Sequence, residues 1–237
     1  MTPLHDERWA QFAGRAYRGS REWLRRHRWL AAALIVAGIA LHVFIEFAEE
    51  VNNPTLLLID RLILDLLRPH RSDLLHHLSV GLSAVVYWPW VALLVTPFIA
   101  FLLATGRHRP LIALVIAPPG AILIMHLVKT MFGRERPLTA VVDEIGYSFP
   151  SGHAMGATVL YGLLGYIACR YMTSNRVLRL PIAALTMGLI VATGLARVYL
   201  EVHYASDVVA GWAAGAFILS GTLVALETWP VRREEPE

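Results

Sequence analysis

Three separated clusters of polar residues interrupt an otherwise apolar chain, and each falls at the end of an apolar segment. In chain order they are Lys129 with Arg136-Pro137, then Pro150-Ser151-Gly152-His153, then Arg197 with His203 and Asp207. Together they supply three cations, two imidazoles, one carboxylate and a Ser-Gly pair at a predicted helix start. These are the groups needed to hold a phosphate ester and to cleave it.

The cations and the helix start predict the phosphate-binding part of such a site. Arg136 and Arg197 offer planar guanidinium groups that bind phosphate through paired hydrogen bonds, whereas Lys129 offers a point charge. Ser151 and Gly152 open the fourth apolar segment, where unpaired backbone N–H groups and the helix dipole favour an anion. We expect Ser151 to cap this helix and Gly152 to let the backbone approach the phosphate closely.

The two histidines and the aspartate predict the reacting part of the site. His203 and Asp207 stand four residues apart, one helical turn, so the carboxylate can hold one ring nitrogen and leave the other free. A neutral imidazole held in this way is a competent nucleophile toward phosphorus. His153 would then be the general acid that protonates the departing oxygen.

The composition places these clusters in a membrane protein. The chain is 56% hydrophobic and 16% charged, with a mean hydropathy of +0.52, which lies outside the usual balance of soluble domains. Six apolar segments are long enough to cross a bilayer, namely 29–47, 78–104, 110–131, 152–172, 178–198 and 205–228. We therefore predict an all-α fold, a six-transmembrane-helix bundle forming one domain over 29–228. A basic cytoplasmic segment, 1–28, would precede it, and a cytoplasmic tail, 229–237, would follow it.

Proline and glycine predict local features of these segments. Kinks are expected at Pro89, Pro97 and Pro118-Pro119, which membrane helices tolerate because neighbouring helices satisfy the freed backbone groups. The pairs Gly162/Gly165 and Gly211/Gly215 place small residues on one helix face and predict close helix packing.

The distribution of Lys and Arg predicts the orientation. If each segment crosses once, 14 of the 21 Lys and Arg residues fall on the side of the N-terminus. Cytoplasmic loops carry the excess of these residues, so both termini are predicted to be cytoplasmic. All three clusters then emerge on the opposite face, and we expect a multi-pass protein of a bacterial plasma membrane with its site facing the periplasm.

The basic N-terminal segment is interpreted as part of a retained signal anchor. It is too long for a secretory n-region, and the apolar run after it lacks a convincing cleavage site. The arginines from Arg15 to Arg28 are explained as a topology determinant beside a span, and nucleic-acid binding is not expected.

The stretch between the first two spans predicts an amphipathic helix. Its charges at Asp60, Arg61, Asp65 and Arg68 recur at helical spacing on one face. Such a helix is expected to lie in the plane of the periplasmic interface. The sequence leaves open whether it only anchors the chain there or also borders a lateral entry for a lipid.

The three clusters resemble the three-part signature of the type 2 phosphatidic acid phosphatase superfamily, the lipid phosphate phosphatases. The matching parts are Lys129-(six residues)-Arg136-Pro137, Pro150-Ser151-Gly152-His153 and Arg197-(five residues)-His203-(three residues)-Asp207. The resemblance covers roughly residues 126–212. It implies a six-helix membrane bundle that hydrolyses phosphate esters or anhydrides of lipids without a metal ion or other cofactor.

The resemblance also implies a role for each site residue. His203 would become the phosphohistidine intermediate, Asp207 would activate it, and His153 would be the acid. The phosphate-binding groups would be Lys129, Arg136, Ser151, the Gly152 amide and Arg197.

One position departs from this pattern, because Ala196 stands where the family usually has a serine before the arginine. The change removes one hydroxyl contact to phosphate, worth about 1 kcal/mol as a neutral hydrogen bond. It leaves the nucleophile, the acid and the cations in place, so activity is expected to survive.

The sequence leaves the substrate and some alternatives open. Undecaprenyl diphosphate is the first choice by family analogy, and phosphatidylglycerophosphate, phosphatidic acid and the lipid A phosphates are the others. Headgroup selectivity is expected from residues near the site such as Asp143, Glu144, Tyr147 and Glu201. Other functions considered are phosphotransfer to an acceptor hydroxyl, a headgroup-binding transporter and a vanadate-binding haloperoxidase. The oligomeric state is not indicated.

Overall fold

The computed structural model of the chain describes residues 28–84 and 88–228. Within these ranges all regular structure is helical, as predicted. The α-helices are α1 (Arg28–Glu49), α2 (Pro54–Leu67), α3 (Asp73–Ala84), α4 (Trp88–Ala104), α5 (His108–Phe132), α6 (Gly152–Ile167), α7 (Arg176–Tyr199) and α8 (Ala205–Thr228). A 3-10 turn over Arg68–His70 follows α2, and a π-helical turn over Ala168–Met172 extends α6. The basic segment up to residue 27 and the tail 229–237 lie outside the described residues.

Five of the described helices, α1, α5, α6 with its π-helical turn, α7 and α8, are long and apolar enough to cross a membrane. A sixth span exists only if α3 and α4, which are inclined by 55°, are taken together. The predicted span 78–104 is therefore a pair of helices that begins earlier, at Asp73. Pro89 lies in the first turn of α4, where its missing N–H breaks no helical hydrogen bond. The chain is an all-helical, multi-pass membrane protein.

The centre of the bundle is α6, which packs against α5, α7 and α8. Its buried side chains run from Ala154 near its start to Ile167 at its end. Helix α1 packs against the other side of α8. The prolines inside α4 and α5 do not divide those helices.

Helices α6 and α8 approach each other through two glycines, which confirms the predicted close packing. A Cβ at Gly211 would lie 2.6 Å from the carbonyl oxygen of Ser151, and one at Gly215 would lie 2.8 Å from that of Met155. These distances are too short for a side chain, and the obstructing atoms belong to backbone that cannot rotate away. The starts of the two helices are therefore held in register.

The three polar clusters meet at one end of the bundle, here called the site end. Lys129 lies in the last turn of α5, Ser151 caps α6, Arg197 lies in the last turn of α7, and Asp207 lies in the first turn of α8. Helix α5 stops at Gly133, whose φ of 60° is a left-handed conformation that favours glycine. The loop 133–151 then crosses the site end before α6 begins.

Helix α2 lies beside the site end and has three kinds of surface. Its charged residue Asp60 and its apolar residue Leu64 are buried against the bundle. Arg68, just beyond its end, pairs with Glu201 at 3.1 Å. A separate strip of large apolar side chains is exposed, namely Leu58, Ile59, Leu62 and Leu66. The predicted helix is confirmed, but two of the charges grouped on its polar face bind the protein instead of facing water.

Candidate active site

Arg136 joins two loops of the site end. Its Nε donates to the carbonyl oxygen of Gly146 at 2.9 Å, and its Nη1 donates to that of Val202 at 2.7 Å. The same Nη1 lies 3.2 Å from Nε2 of His203. This guanidinium therefore links the first predicted cluster to the third and stands beside the predicted nucleophile.

Lys129 and Arg197 bring cations from two further helices. Lys129 donates from α5 to the carbonyl oxygen of Tyr147. Arg197 is buried in the last turn of α7, with 1% of its surface exposed, and its Nη2 pairs with Glu144. The Nε of Arg197 has no hydrogen-bond partner among the described residues. A buried guanidinium with an unused donor can still take an acceptor oxygen.

Glu144 places a carboxylate between two of the predicted phosphate-binding arginines. It pairs with Arg197, and its Oε2 lies 3.6 Å from Nη2 of Arg136. Burial opposes the ionisation of Glu144, but Arg197 and Arg136 outweigh it and hold the pKa of this carboxyl below its usual range. Glu144 thus occupies donors that a phosphate would use.

His203 lies in the loop just before α8, with 1% of its surface exposed. Its Nε2 is directed toward Arg136, and its Nδ1 lies 3.6 Å from Oδ2 of Asp207. The expectation that one helical turn carries both residues is wrong, because α8 begins only at Ala205. Asp207 instead reaches back to the loop, where its Oδ2 accepts a hydrogen bond from the Tyr204 backbone N–H at 2.9 Å. This is the geometry of a helix-start capping interaction.

The contact between His203 and Asp207 is an approach, not a formed hydrogen bond. A separation of 3.6 Å exceeds hydrogen-bond range, and Nδ1 of His203 has no hydrogen-bond partner in the described part of the chain. Catalytic hydrogen bonds are often long without substrate and tighten only in the reacting complex. The two groups are therefore placed to pair after a small shift of the ring.

The electrostatic surroundings of His203 favour its neutral form. Burial lowers the pKa of His203 well below its usual range, and the nearby cations Lys129, Arg136 and Arg197 lower it further. A neutral imidazole keeps a lone pair on one ring nitrogen, which a nucleophile requires. The same interactions show that three cations from three different segments converge on this ring.

The second cluster supplies a helix start and a second histidine. Ser151 is fully buried, its Oγ accepts from the Ala154 N–H at 3.4 Å, and its own N–H donates to the carbonyl oxygen of Asp207 at 2.9 Å. The predicted cap is confirmed. A Cβ at Gly152 would meet the Met125 side chain at 3.2 Å, so packing against α5 is a further reason for glycine here. His153, in the first turn of α6, is half-buried and within electrostatic range of His203.

The structure adds ion pairs that the sequence does not predict. Arg134 is buried and binds Asp207 and Asp60, which come from two different segments. Glu201, expected to contribute to headgroup selectivity, is buried instead and bound by Arg68 and Arg71. No local pattern marks these contacts, because each one joins residues far apart in the chain.

Fold and site together define an all-helical membrane protein with a cation-rich, histidine-containing site at one end of its bundle. The family model of the PAP2 superfamily matches residues 107–230, just over half of the 237-residue chain. The chain belongs to this superfamily, which confirms the resemblance seen in the three clusters.

A curated protein and a solved structure are similar to the chain. Phosphatidylglycerophosphatase B of Bacillus subtilis (strain 168) is 30% identical over 97 residues, which cover 40% of this chain and 48% of that protein. The matched part is thus about half the length of this curated relative. A crystal structure described as the first transmembrane PAP2 type phosphatidylglycerolphosphate phosphatase from Bacillus subtilis has a TM-score of 0.77 at 20% identity. The match covers 83% of this chain and 98% of the other, and at this identity it shows the fold.

Proposed function

We propose that this protein hydrolyses a lipid phosphate through a phosphohistidine intermediate on His203. The observation that carries the proposal is the orientation of this ring, with Nδ1 toward Asp207 and Nε2 toward the guanidinium of Arg136. An attacking nitrogen aimed at the anion site, with a carboxylate behind the other nitrogen, is the arrangement that nucleophilic transfer needs. Membership of the PAP2 superfamily supports the reaction class.

The first step forms the phosphoenzyme. The lone pair of His203 Nε2 attacks phosphorus while the bond from phosphorus to the leaving oxygen breaks, and His153 gives that oxygen a proton. Asp207 holds the Nδ1 proton and compensates the positive charge that develops on the ring. Lys129, Arg136, Arg197 and the N–H groups at the start of α6 hold the phosphoryl oxygens.

The second step releases phosphate. His153, now neutral, takes a proton from water as the water oxygen attacks phosphorus, and the phosphorus–nitrogen bond breaks. The electron pair of the broken phosphorus–nitrogen bond returns to Nε2, so His203 is neutral again, and inorganic phosphate leaves. Glu144 then pairs again with Arg197, which would help to expel the product.

The reaction is proposed to proceed without a metal ion. Three cations converge on the site and would repel a divalent cation, while they supply the charge stabilisation that a metal would otherwise give. Purified protein is expected to release phosphate at an undiminished rate in excess chelator. Loss of activity that added Mg²⁺ restores would contradict this part of the proposal.

The site is proposed to face the outside of a bacterial plasma membrane, with both termini cytoplasmic. The excess of Lys and Arg on the side of the N-terminus supports this orientation. A single cysteine introduced at exposed Leu138, in the loop at the site end, tests it. In intact cells of a Cys169→Ser background, a membrane-impermeant maleimide should label it, and labelling only after lysis would reverse the orientation.

The decisive experiment traps the intermediate. Protein mixed briefly with a ³²P-labelled lipid phosphate and quenched in alkali should carry label that acid removes, as expected of a phosphohistidine. His203→Ala should carry none, whereas His153→Ala should gain label more slowly and also lose it more slowly, because His153 is proposed to act as acid in the first step and as base in the second. A protein that only binds headgroups would never be labelled. Transfer of the label to an added acceptor alcohol, in preference to water, would identify a phosphotransferase.

Phosphatidylglycerophosphate is proposed as the first substrate. The curated relative and the similar solved structure are both named for this activity. The sequence-based first choice, undecaprenyl diphosphate, has no comparable support from the comparisons, and it stays a prediction.

An apolar path through the membrane part of the structure favours undecaprenyl diphosphate as a second candidate. A groove of about 390 Å³ between α5 and α8 begins at Arg109 and shares Ile124 and Ile218 with a second groove of about 190 Å³. The second groove ends at Val128 and Pro150, beside the site end. From Arg109 to Val128 an α-helix rises about 28 Å, close to the roughly 30 Å thickness of the hydrocarbon core. A path of this length suits one long isoprenoid chain better than acyl chains confined to one leaflet.

A substrate panel with one groove variant separates the two candidates. Gly120 lines the groove, and a Cβ there meets nothing within 4 Å, so Gly120→Leu starts a side chain in open space and directs it into the path. If the path holds an isoprenoid tail, this variant should slow undecaprenyl diphosphate hydrolysis more than phosphatidylglycerophosphate hydrolysis. Gly188→Leu on α7, equally open but outside the groove, is the matched control.

A further inference from the structure

The orientation of Asp207 is fixed by residues outside the three clusters. Its Oδ1 accepts a hydrogen bond from Nη1 of Arg134 at 2.6 Å, and its Oδ2 accepts from the Tyr204 backbone N–H at 2.9 Å. Oδ2 is also the oxygen that lies 3.6 Å from Nδ1 of His203. The carboxylate plane, and with it the direction in which Oδ2 faces the histidine, therefore depends on Arg134.

Arg134 is itself held by a second carboxylate. It is 6% exposed, its Nη2 donates to Oδ2 of Asp60 at 2.8 Å, and its Nη1 also donates to Oγ of Ser206 at 2.7 Å. The guanidinium lies over the ring of Tyr204, with 4.4 Å from Cζ to the ring centroid. Burial alone would lower the pKa of Arg134, but Asp207 and Asp60 outweigh burial and raise it, so the group is charged.

Asp60 ties this arginine to the start of α8. Its Oδ1 accepts from the Ser206 backbone N–H at 3.0 Å and its Oδ2 accepts from the Ser206 hydroxyl at 2.5 Å, with 1% of Asp60 exposed. A carboxylate at a helix N-terminus is favoured by the unpaired N–H groups and the helix dipole. Asp60 comes from α2, so a residue of the amphipathic helix stabilises the turn that carries the catalytic aspartate.

The charges of this cluster are suited to catalysis. Two carboxylates and one guanidinium leave one net negative charge, buried behind His203. Arg134 supplies the positive charge that a carboxylate as buried as Asp207 needs to remain ionised. Because Asp60 also pairs with Arg134, the positive charge of Arg134 does not fully neutralise Asp207. The remaining negative charge can then compensate the positive charge that develops on His203 when Nε2 attacks.

We propose that Asp60 and Arg134 are positioning residues for the reaction, which hold Asp207 ionised and turned toward Nδ1 of His203. This inference rests on the proposed phosphohistidine mechanism. Neither residue touches the phosphate site, and both act through Asp207. Helix α2 is accordingly part of the catalytic architecture and not only an interfacial anchor.

Asp60→Asn tests the proposal, because it removes the charge and keeps the shape. We expect kcat to fall between about ten- and a hundredfold, the range typical of residues that orient a functional group from behind, with KM changed less than twofold. With Asp60 neutral, the charge of Arg134 is less compensated, so the pKa of His203 should fall further and the acid limb of the kcat/KM profile should move to lower pH. Unchanged kcat and an unchanged profile would overturn the proposal.

Two matched carboxylate variants control for structure. Asp65→Asn lies on the same helix, where exposed Asp65 pairs only with Arg68 among the ion pairs of the described chain, and should behave as wild type. Glu201→Gln weakens the second connection of α2 to the bundle, through Arg68 and Arg71, without touching Arg134. It should lower the midpoint of thermal unfolding but leave the acid limb in place. If Glu201→Gln shifts kcat and the acid limb as Asp60→Asn does, docking of α2 explains both, and the proposed positioning role is wrong.

A milder variant keeps the test decisive if Asp60→Asn fails to fold. Ser206→Ala removes one donor to Asp60 and one acceptor from Arg134 while all charges remain. We expect kcat to fall about threefold with KM unchanged, consistent with loss of a single modest hydrogen bond, and no change would overturn the proposal. A wild-type protein without any phosphatase activity would instead contradict the proposed function itself, which is a distinguishable result.

Discussion

Two of the arginine–carboxylate clusters at the site end differ in whether their carboxylates can be replaced. In the first, Arg134 is enclosed by Asp60 and Asp207, and all three side chains are buried. In the second, Arg197 and Arg136 share Glu144, which is half-buried on the loop 133–151. The first cluster is closed to solvent, and the second borders the place where a substrate phosphate would bind.

The comparison indicates that burial and the number of fixed hydrogen-bond donors decide whether a carboxylate can be displaced from its arginine. Asp207 accepts hydrogen bonds from two fixed donors and cannot leave without stranding a buried guanidinium, which is strongly unfavourable. Glu144 belongs to a loop, and Arg197 retains an unused Nε donor. We therefore expect a phosphate to exchange with Glu144 but not with Asp207. On this proposal, the same chemical groups serve as permanent support in one cluster and as an exchangeable counter-ion in the other.

The largest effect is expected from replacing His203, which belongs to neither cluster. His203→Ala removes the proposed attacking nitrogen and should lower phosphate release by about 10⁴-fold or more, as loss of a nucleophile does in other covalent enzymes. Both clusters remain, so orthophosphate should still bind to the variant, as measured by isothermal titration. Turnover within tenfold of wild type would show that the reaction does not pass through His203.

Matched Arg-to-Lys variants, one in each cluster, test whether the two clusters have different roles. Arg197→Lys replaces the planar guanidinium of the exchangeable cluster with a point charge. It should raise KM and thereby lower kcat/KM about ten- to a hundredfold, and it should weaken inhibition by orthophosphate. Arg134→Lys keeps the charge but cannot bridge two carboxylates, and should lower kcat while orthophosphate inhibition stays the same. Steady-state kinetics with product inhibition measures both. If the two variants change the same parameter, the clusters do not have separate roles.

Glu144→Gln tests whether the second carboxylate is exchangeable. The variant removes an anion that competes for Arg197 and Arg136, so orthophosphate should inhibit about three- to tenfold more strongly, as expected for loss of one partly exposed ion-pair partner. The pKa of Glu144 is held below its usual range, so the effect should persist at any pH near neutral. Asp143→Asn, the exposed neighbour, is the control. Weaker inhibition in Glu144→Gln would show that this carboxylate supports anion binding.

The smallest effect is a displacement of the pH profile. Because burial and three cations lower the pKa of His203, its nucleophilic neutral form should persist below pH 6.5, and the acid limb of kcat/KM should lie below that value. Arg197→Gln removes one of these cations, so it should move the acid limb upward. An acid limb above pH 6.5 in the wild type would contradict the environment described for this ring.

Features with a local signature could be predicted from the sequence. The spans follow from hydropathy, the cap at Ser151 follows from a polar residue before an apolar run, and the meeting of the clusters at one end follows from alternating helix directions. The division of the second span near Pro89 was expected only as a kink. A helix can either bend at a proline or end and restart there, and the sequence pattern is the same in both cases.

The contacts that support the site had no such signature. Asp60 and Arg134 are 74 residues apart and belong to no shared pattern, so only the packing of α2 against α8 reveals their pairing. The sequence predicts that Glu144 lies near the site, but its pairing with Arg197 depends on the path of the loop 133–151. The spacing of His203 and Asp207 predicts that the two side chains lie close together, as they do. The cause differs from the prediction, because a capping interaction and not a shared helical turn brings them together.

The contact at Gly211 and Gly215 makes the bundle intolerant of very small changes far from the phosphate. A single methyl group at position 211 would press on the Ser151 carbonyl and push the starts of α6 and α8 apart. Those starts carry the proposed acid and, just before α8, the proposed nucleophile, which on this mechanism must act on the same phosphorus atom within a few tenths of an ångström of their best separation. Gly211→Ala would thus be an inactivating substitution in which every reacting group is unchanged. On the proposed mechanism, the geometry of catalysis would limit substitution at this inner position as much as the stability of the fold does.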